Sequence, residues 1–173
     1  EATPDEQLEI SYQQLHESLV GEIQEAVANT EPAQFEQLVV DLLLAMGYGG
    51  SFREAGQAIG RSGDEGIDGI IKEDRLGLDV IYLQAKRWTN NIGRPQIQQF
   101  AGALMGKKAK KGVFITTSAF SNEALAYAKS LDSKLILIDG RELANLMIEY
   151  GVGVSIRKTF HLKRIDTDYF EME

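Results

Sequence analysis

The chain has 173 residues, 43% of them hydrophobic and 25% charged, and its formal net charge at pH 7 is −8. These proportions are those of a globular domain rather than a disordered chain, and the absence of any apolar run near 18 residues excludes a membrane-spanning helix. Cysteine is absent, which excludes disulfides, thiolate catalysis and cysteine-ligated zinc and leads us to expect a cytoplasmic protein.

The first thirty residues predict an acidic helix. The stretch from Thr3 to Glu6 is typical of a helix start, with Thr3 as N-cap and Glu6 three residues after the cap. Apolar residues then recur at helical spacing as far as about Ala28. Because the chain begins with Glu rather than Met, we expect residues 1–30 to be an acidic N-terminal helix or a linker to a missing N-terminal domain.

The next segment predicts a buried helix, a loop and a pair of strands. The helix runs from Pro32 to Gly47 and is apolar around most of its circumference, although it contains Glu36. Residues 49–66 are rich in glycine, which favours a loop or an irregular hairpin. Strands follow at Ile67–Ile71 and Asp79–Arg87, and the short polar link between them indicates an antiparallel pair.

Helices and strands alternate in the rest of the chain. A proline in the first turn predicts a helix from about Arg94. The further elements are expected at Gly112–Thr116 (strand), Ser121–Leu131 (helix), Lys134–Ile138 (strand), Asp139–Tyr150 (helix) and Val152 to Leu162 (a final edge strand or hairpin). An antiparallel start followed by parallel crossovers predicts an α/β domain of three layers with a mixed central sheet.

Three polar side chains are candidates for catalysis. Residues i and i+2 of a strand share a face, so Gln84 and Lys86 are neighbours, and the strand pairing could bring Asp68 beside them. Mg²⁺ prefers oxygen ligands and needs only one or two protein carboxylates besides substrate oxygens and water. A nearby Lys orients the nucleophile or stabilises charge in phosphodiester hydrolysis. From spacing alone, a turn aspartate and a solvent-facing Gln–Lys pair are the alternative.

Several longer stretches resemble a known family. They read FEQLVVDLL (35–43), GRSGDEGIDG (60–69), DVIYLQAKRW (79–88), RPQIQQFAGAL (94–104), KGVFITTS (111–118) and LIDG (137–140). Together they resemble the catalytic domain of Mrr-type restriction endonucleases over residues 31–155, in family order. The resemblance implies a three-layer α-β-α PD-(D/E)xK nuclease fold and methyl-directed (type IV) restriction, in which foreign DNA with modified bases is cut. A C-terminal strand and tail are expected over 156–173.

The same resemblance implies roles for the candidate residues. In this family an Asp precedes a Gln–x–Lys motif, and Asp68, Gln84 and Lys86 fall on those positions, with Glu36 on the acidic residue of the preceding helix. Asp68 is then the main metal ligand, Gln84 an auxiliary ligand, Lys86 the group that orients water or stabilises charge, and Glu36 a more distant or water-mediated ligand. Mg²⁺ is the expected cofactor, with Mn²⁺ as a substitute. Because Gln84 stands where the broader superfamily has an acid, metal affinity should be weaker unless Glu36 or the Ala85 carbonyl helps.

The distribution of charge favours DNA as the partner. Residues 1–50 hold ten acidic residues and neither Lys nor Arg, whereas residues 80–122 hold seven basic residues and no acidic one. Phosphate contacts need cations and tolerate no nearby anion, although a solvated basic face is the alternative. The expected DNA-binding residues are Arg61, Arg87, Lys107, Lys108, Lys110 and Lys111. Trp88 is expected to cap the sheet, with stacking on a base as the alternative.

The expected partner is double-stranded, methylated DNA, and no association with a membrane is expected. Cutting both strands needs two sites, which predicts a homodimer or a larger homo-oligomer. Members of the family usually carry an N-terminal winged-helix domain that recognises DNA, and no stretch of this sequence resembles it. Two alternatives stay open: a structure-specific nuclease similar to Holliday-junction resolvases, and a non-cleaving DNA-binding or assembly module with the nuclease fold, which the neutral Gln84 would suit.

Overall fold

The sheet of this protein is built from short strands that capped helices connect. The computed structural model describes residues 2–49, 68–74 and 76–171. Within these ranges, none of the helices is both long and apolar enough to span a lipid bilayer. The loop or hairpin expected at 49–66 lies outside the described residues apart from Gly49, as does Ile67.

Helix α1 spans Pro4–Ala28 and starts as its sequence predicts. The Thr3 hydroxyl accepts a hydrogen bond from the Glu6 backbone N–H at 3.3 Å, and the Glu6 carboxylate accepts one from the Thr3 N–H at 2.8 Å. These two bonds form a capping box, which satisfies amide groups that the first turn leaves without partners. The buried residues of α1 all lie in its second half: Val20, Ile23 and Val27.

Four strands form one sheet in the described part of the chain. They are β1 (Gly69–Lys72), β2 (Val80–Lys86), β3 (Lys111–Thr116) and β4 (Lys134–Ile138). Their order in space is the same as their order in sequence, with β1 antiparallel to β2 and the other neighbours parallel. The expected antiparallel start followed by parallel crossovers is therefore confirmed.

The remaining helices connect or follow these strands. They are α2 (Pro32–Ala45), α3 (Arg94–Gly106), α4 (Asn122–Lys129), α5 (Gly140–Tyr150) and the one-turn α6 (Thr167–Phe170). Asp139 caps α5, since its carboxylate accepts the Glu142 backbone N–H at 2.8 Å. Gly151 ends α5 with a φ of 71°, a left-handed conformation that glycine adopts without steric cost.

The core has two parts, one on each face of the sheet. The main cluster joins α1, α2 and α5 to one face and includes Phe35, Leu42, Leu83 and Ile115. The second cluster joins α3 and α4 to the other face around Phe114. Because helices cover both faces of a mixed sheet, the domain has the three-layer α/β/α architecture that the sequence predicts.

The expected strand between Val152 and Leu162 is not formed. Residues 154–166 belong to neither helix nor strand, and residues 155–171 are exposed. Alternating apolar residues show which side chains would share a strand face, but a strand also needs a neighbour to receive its backbone hydrogen bonds. Two residues with positive φ, Gly151 and Gly153, turn the chain after α5, and it does not pair with β4.

Candidate active site

Strand pairing places Asp68 opposite Gln84. Gly69 is in register with Leu83, and the Asp68 backbone N–H donates to the Leu83 carbonyl at 2.8 Å, one position further along the ladder. Leu83 and Ala85 pack in the main cluster, so Gln84 lies on the other face of the sheet because side chains alternate along a strand. Side chains of opposed residues share a face and contact each other, which brings Asp68 and Gln84 together as expected.

One oxygen of the Asp68 carboxylate accepts two hydrogen bonds. Oδ2 receives the Gln84 side-chain Nε2–H at 2.9 Å and the Ala85 backbone N–H at 2.8 Å. The carboxylate sets the orientation of the Gln84 amide, because the reverse orientation would place two acceptors against each other. The Asp68 side chain is thus held at the end of the β1–β2 ladder by one backbone and one side-chain donor.

The oxygen of the Gln84 side-chain amide lacks a hydrogen-bond donor among the described residues. Gln84 is only 3% exposed, and its Oε1 atom finds no hydrogen-bond partner among the described residues. An unsatisfied buried polar atom costs roughly 1–3 kcal/mol. The sheet therefore carries, beside a carboxylate, an acceptor oxygen that a bound cation or donor would stabilise.

These oxygens suit a hard divalent cation. Mg²⁺ prefers oxygen ligands and is usually held by one or two carboxylates, with water and substrate oxygens completing its shell. The described residues contain no group of three or more His, Cys, Asp or Glu side chains suited to a metal. An ion held by Asp68 and Gln84 Oε1 would therefore take most of its remaining ligands from water and the phosphate of a substrate.

Lys86 lies two residues beyond Gln84, on the same face of β2 and half-buried. Its Nζ atom stands over the indole ring of Trp88, 5.1 Å from the ring centroid. Trp88 is itself held in place, since its carbonyl accepts the Thr117 hydroxyl at 2.9 Å. The indole is 41% exposed, so it lies beside the lysine at the surface and is not buried as a cap of the sheet.

The structure does not bring every candidate residue into this site. Glu36 lies on α2 and is half-buried, and no hydrogen bond within the described residues joins it to Asp68 or Gln84. Arg61 lies outside the described residues, so its expected contact with DNA is a prediction that the structure does not test.

The expected DNA-binding residues are spread over both ends of the sheet. Lys86 pairs with Thr116 at the end of β3, whereas Lys107, Lys108 and Lys110 precede the start of that strand. Gln84 is level with Phe114, four residues after Lys110, which is a rise of about 13 Å along the strand, so these lysines lie away from Gln84. The acid-free segment spans both ends because α3 returns the chain from the end of β2 to the start of β3.

Arg87 and Lys111 each have a partner within the protein, although both are expected to bind DNA. Arg87 donates to the Ala28 carbonyl at the end of α1, at 3.2 Å. Lys111 binds the carboxylates of Glu73 and Asp79, and these hydrogen bonds, the one to Glu73 first, hold the pKa of the Lys111 ammonium above its usual value. A role for either residue in DNA binding stays a prediction.

The hydroxyl residues at the end of β3 were not predicted from the sequence to lie near this site. Thr116 is fully buried beside Lys86 in the sheet, and its hydroxyl lies 2.9 Å from that of Ser118. The signal was present, because three hydroxyl residues follow an apolar strand here as Gln84 and Lys86 follow one in β2. The carboxyl ends of these parallel strands therefore share a polar edge.

The chain is similar in sequence to known restriction enzymes. A family model described as a restriction endonuclease, Mrr_cat, matches residues 27–147. The chain is 46% identical over 170 residues to the type IV methyl-directed restriction enzyme EcoKMrr of Escherichia coli (strain K12), which covers 98% of this chain and 55% of that protein. The chain thus spans about half the length of this curated relative.

Two solved structures are similar to this one. The DNA modification-dependent restriction endonuclease AspBHI superposes with a TM-score of 0.57 at 18% identity, covering 88% of this chain and 37% of that chain. The MspJI restriction endonuclease in complex with a 27-mer oligonucleotide gives a TM-score of 0.46 at 23% identity, covering 85% and 32%. The likeness to AspBHI shows a common fold.

Proposed function

This chain belongs to the Mrr-type restriction endonuclease family, and from that premise we propose that it cuts DNA by metal-assisted hydrolysis of phosphodiester bonds at Asp68, Gln84 and Lys86. One observation carries the proposal. The Gln84 amide oxygen is buried without a partner among the described residues, while the nitrogen of the same amide donates to the Asp68 carboxylate and Lys86 follows two residues later. A divalent cation at this place would satisfy an oxygen that the described residues leave unsatisfied.

Each residue of the site has a distinct task in this mechanism. Asp68 and Gln84 would hold the cation, and the Ala85 backbone N–H keeps the Asp68 carboxylate at the end of the sheet. Mg²⁺, or Mn²⁺ in its place, would supply an acidified water and offset charge on the phosphate. Lys86 would orient the attacking water or offset the negative charge that grows on the phosphate oxygens. Glu36 is assigned a lesser, water-mediated role.

Methylated duplex DNA is the proposed substrate, on the strength of the name of the Escherichia coli relative, a methyl-directed restriction enzyme. A double-strand cut needs one site for each strand, so we expect two or more copies to act together in the cytoplasm on foreign DNA. The basic residues of the chain, among them Arg61, Arg87 and Lys110, supply contacts with the phosphates. Their contribution would weaken as the salt concentration rises.

Cleavage of supercoiled plasmid tests the proposal. Methylated and unmethylated preparations are incubated with the parent protein in Mg²⁺, Mn²⁺ or EDTA, and with the variants Asp68→Asn, Lys86→Ala and Lys129→Ala. We expect metal-dependent nicking or linearisation by the parent and a loss of roughly 10²-fold or more in the first two variants. Lys129 is an exposed residue of the last turn of α4, so Lys129→Ala controls for the loss of one positive charge and should cut normally.

A binding measurement separates the metal site from the cleavage that depends on it. Mn²⁺ titrated into the parent protein should bind at least tenfold more tightly than into Gln84→Leu, which keeps the side-chain size but removes the oxygen ligand. Equal Mn²⁺ affinity in the two proteins, or equal cleavage by Asp68→Asn, Lys86→Ala and the parent, would overturn the proposal.

One observation favours a second candidate, a module that binds DNA without cutting it. The Gln84 side chain donates to Asp68, so each of these two groups already has a hydrogen-bond partner within the protein. DNA binding that does not change with Mg²⁺ or with Lys86→Ala, in a protein that cuts no plasmid, would support this reading. Preferential cutting of four-way junctions over methylated linear duplex would instead indicate a structure-specific nuclease.

A further inference from the structure

The segment that follows α5 leaves its large apolar side chains in solvent. We call residues 155–170 the arm. Ile156 is 87% exposed, Phe160 69% and Leu162 76%, and the arm forms no strand and only the one-turn helix α6. A folded chain rarely presents a row of such side chains to water unless another surface covers them.

The arm is attached firmly at its root. Val152 and Val154 pack against the main cluster, and Gly153, with a φ of 69°, lets the chain turn between them. A side-chain carbon at Gly153 would come within 3.0 Å of the Met147 side chain, so the turn lies close against α5. Beyond this anchored turn, the arm has no place in the core of its own chain.

An open strand edge with an apolar groove beside it lies on the same domain. Strand β4 pairs only with β3 among the described strands, so its other edge is open. A groove of about 550 Å³ follows this strand, with apolar walls that include Phe120, Leu125, Ile136 and Leu146. Ile136 is 46% exposed in the middle of the strand. An open edge strand with apolar side chains is a template for pairing with another chain.

The charges of the arm and the groove are opposite. The arm contains four basic residues, Arg157, Lys158, Lys163 and Arg164, and two acidic ones, Asp166 and Asp168, so it is basic on balance. The groove carries Asp139 and Glu142, and its one basic residue, Arg141, is paired with Glu17 of α1 at 2.8 Å. A basic strand with apolar side chains therefore matches an acidic groove with apolar walls.

We propose that two copies of this chain exchange arms, so that the arm of each lies in the groove of the other and adds a strand to the open edge of β4. Addition of a strand supplies the backbone hydrogen bonds that the arm lacks and covers Ile136. The exchange is reciprocal, so it closes on a dimer and stops there. Sixteen arm residues and eleven groove residues from each copy fall within the roughly 20–30 residues per side of a stable interface. The surface lies apart from Asp68 and does not depend on what that site does.

Sedimentation of the 173-residue chain over a range of concentrations tests the exchange. We expect a species of twice the chain mass, and self-association that is at least roughly tenfold weaker in Ile136→Lys and in Phe160→Asp. Leu76→Lys is the matched control, because Leu76 is 81% exposed in the β1–β2 turn, outside both surfaces. An equimolar mixture of the two weakened variants should recover a dimer, since one intact arm meets one intact groove.

Engineered cysteines identify which arm fills which groove. The chain has no cysteine of its own, so Ile136→Cys can be mixed with Ile156→Cys, Phe160→Cys or Leu162→Cys under oxidising conditions. We expect a disulfide-linked heterodimer from at least one of these mixtures. The proposal is overturned if the chain stays monomeric at all concentrations, if Ile136→Lys and Phe160→Asp dimerise like the parent, or if Ile136→Cys combined with an arm cysteine in one chain gives only a disulfide-linked monomer.

Discussion

At the scale of single residues, the most informative contact outside the Asp68–Gln84 pair joins Lys86 to Trp88. The Lys86 ammonium stands over the indole face, where the quadrupole of the ring attracts a cation. The ring remains partly exposed. Its contribution to the site is therefore to hold the ammonium group in one position.

Replacing the ring tests this contribution. Trp88→Leu should lower the plasmid cleavage rate at saturating DNA by about two- to fivefold, which corresponds to the roughly 0.5–1 kcal/mol of an exposed cation–π contact. Trp88→Phe keeps an aromatic face and should lose less. Trp88 is the only tryptophan, so the tryptophan fluorescence of Lys86→Met should differ from that of the parent. Equal rates in Trp88→Phe and Trp88→Leu would contradict a role for the ring face.

Gly140 shows how tightly α5 approaches the edge of the sheet. A side-chain carbon at this position would lie 2.3 Å from the Thr117 backbone oxygen, and the Gly140 N–H donates to the Ser118 carbonyl at 2.8 Å. The atoms that the added carbon would meet, in Thr117 and Ser118, all belong to the backbone, so no side-chain movement can relieve the clash. The start of α5 and the loop after β3 can approach this closely only with glycine here.

We therefore expect Gly140→Ala to lower the free energy of unfolding by about 1–3 kcal/mol, the usual cost of overpacking. Gly102→Ala is the matched control, because Gly102 lies in α3 with nothing within 4 Å of an added carbon. That substitution should stabilise the protein by up to roughly 1 kcal/mol, since alanine favours a helix over glycine. Chemical denaturation measures both, and a loss of stability in both variants alike would disprove the steric argument.

At the scale of elements, the hairpin between β1 and β2 depends on one turn residue. Asp74 accepts backbone N–H bonds from Leu76 at 2.7 Å and from Asp79 at 3.1 Å. The hydrogen bond from Asp79 is the largest cause that holds the pKa of Asp74 below its usual value. The charged carboxylate is thus the form that fits the turn.

The pH dependence of this hairpin follows from the lowered pKa. A carboxyl group with a lowered folded pKa stabilises the protein above its unfolded pKa, and this stabilisation is lost as the pH falls through the folded value. At pH 7 Asp74→Asn should therefore melt at a lower temperature than the parent. The difference should shrink below pH ~4, where Asp becomes protonated. Asp132→Asn, an exposed change before β4, is the control, and a constant difference between Asp74→Asn and the parent would contradict the assignment.

At the scale of the whole molecule, α1 belongs to the domain through its second half. Val20, Ile23 and Val27 are buried in the main cluster, and His16 contacts Asn145 of α5 at 3.1 Å. The first half of the helix is exposed, with Leu8 and Tyr12 in solvent. The two halves should therefore differ in their importance for folding.

Truncation tests that difference. A chain that starts at residue 15 should melt within a few degrees of the parent, because it loses only exposed residues. A chain that starts at residue 29 loses three buried side chains worth about 5–9 kcal/mol, which approaches the 5–15 kcal/mol that stabilises a typical domain. Circular dichroism should find it unfolded or much less stable, and a cooperative melt at the parent temperature would disprove this account.

The bounds of the elements followed closely from the sequence. The Thr3 capping box, the Asp139 cap and the Lys134–Ile138 strand lie where local patterns predict them, because helix caps and side-chain alternation depend on residues only a few positions apart. The prediction of a strand between residues 152 and 162 was wrong for the complementary reason. The pattern of this segment is that of a strand, but no neighbour pairs with it in the described chain.

The sequence by itself determined the order of helices and strands, the family, and the shared face of Gln84 and Lys86, since each of these depends on local spacing or on similarity along the chain. Only the tertiary structure decided that Asp68 bonds Gln84 and Ala85, that Gln84 Oε1 is buried without a partner among the described residues, and that Lys111 binds two carboxylates. The physical reason is that these contacts join residues sixteen or more positions apart. Strand register and packing bring such residues together, and neither is encoded within a local window of the chain.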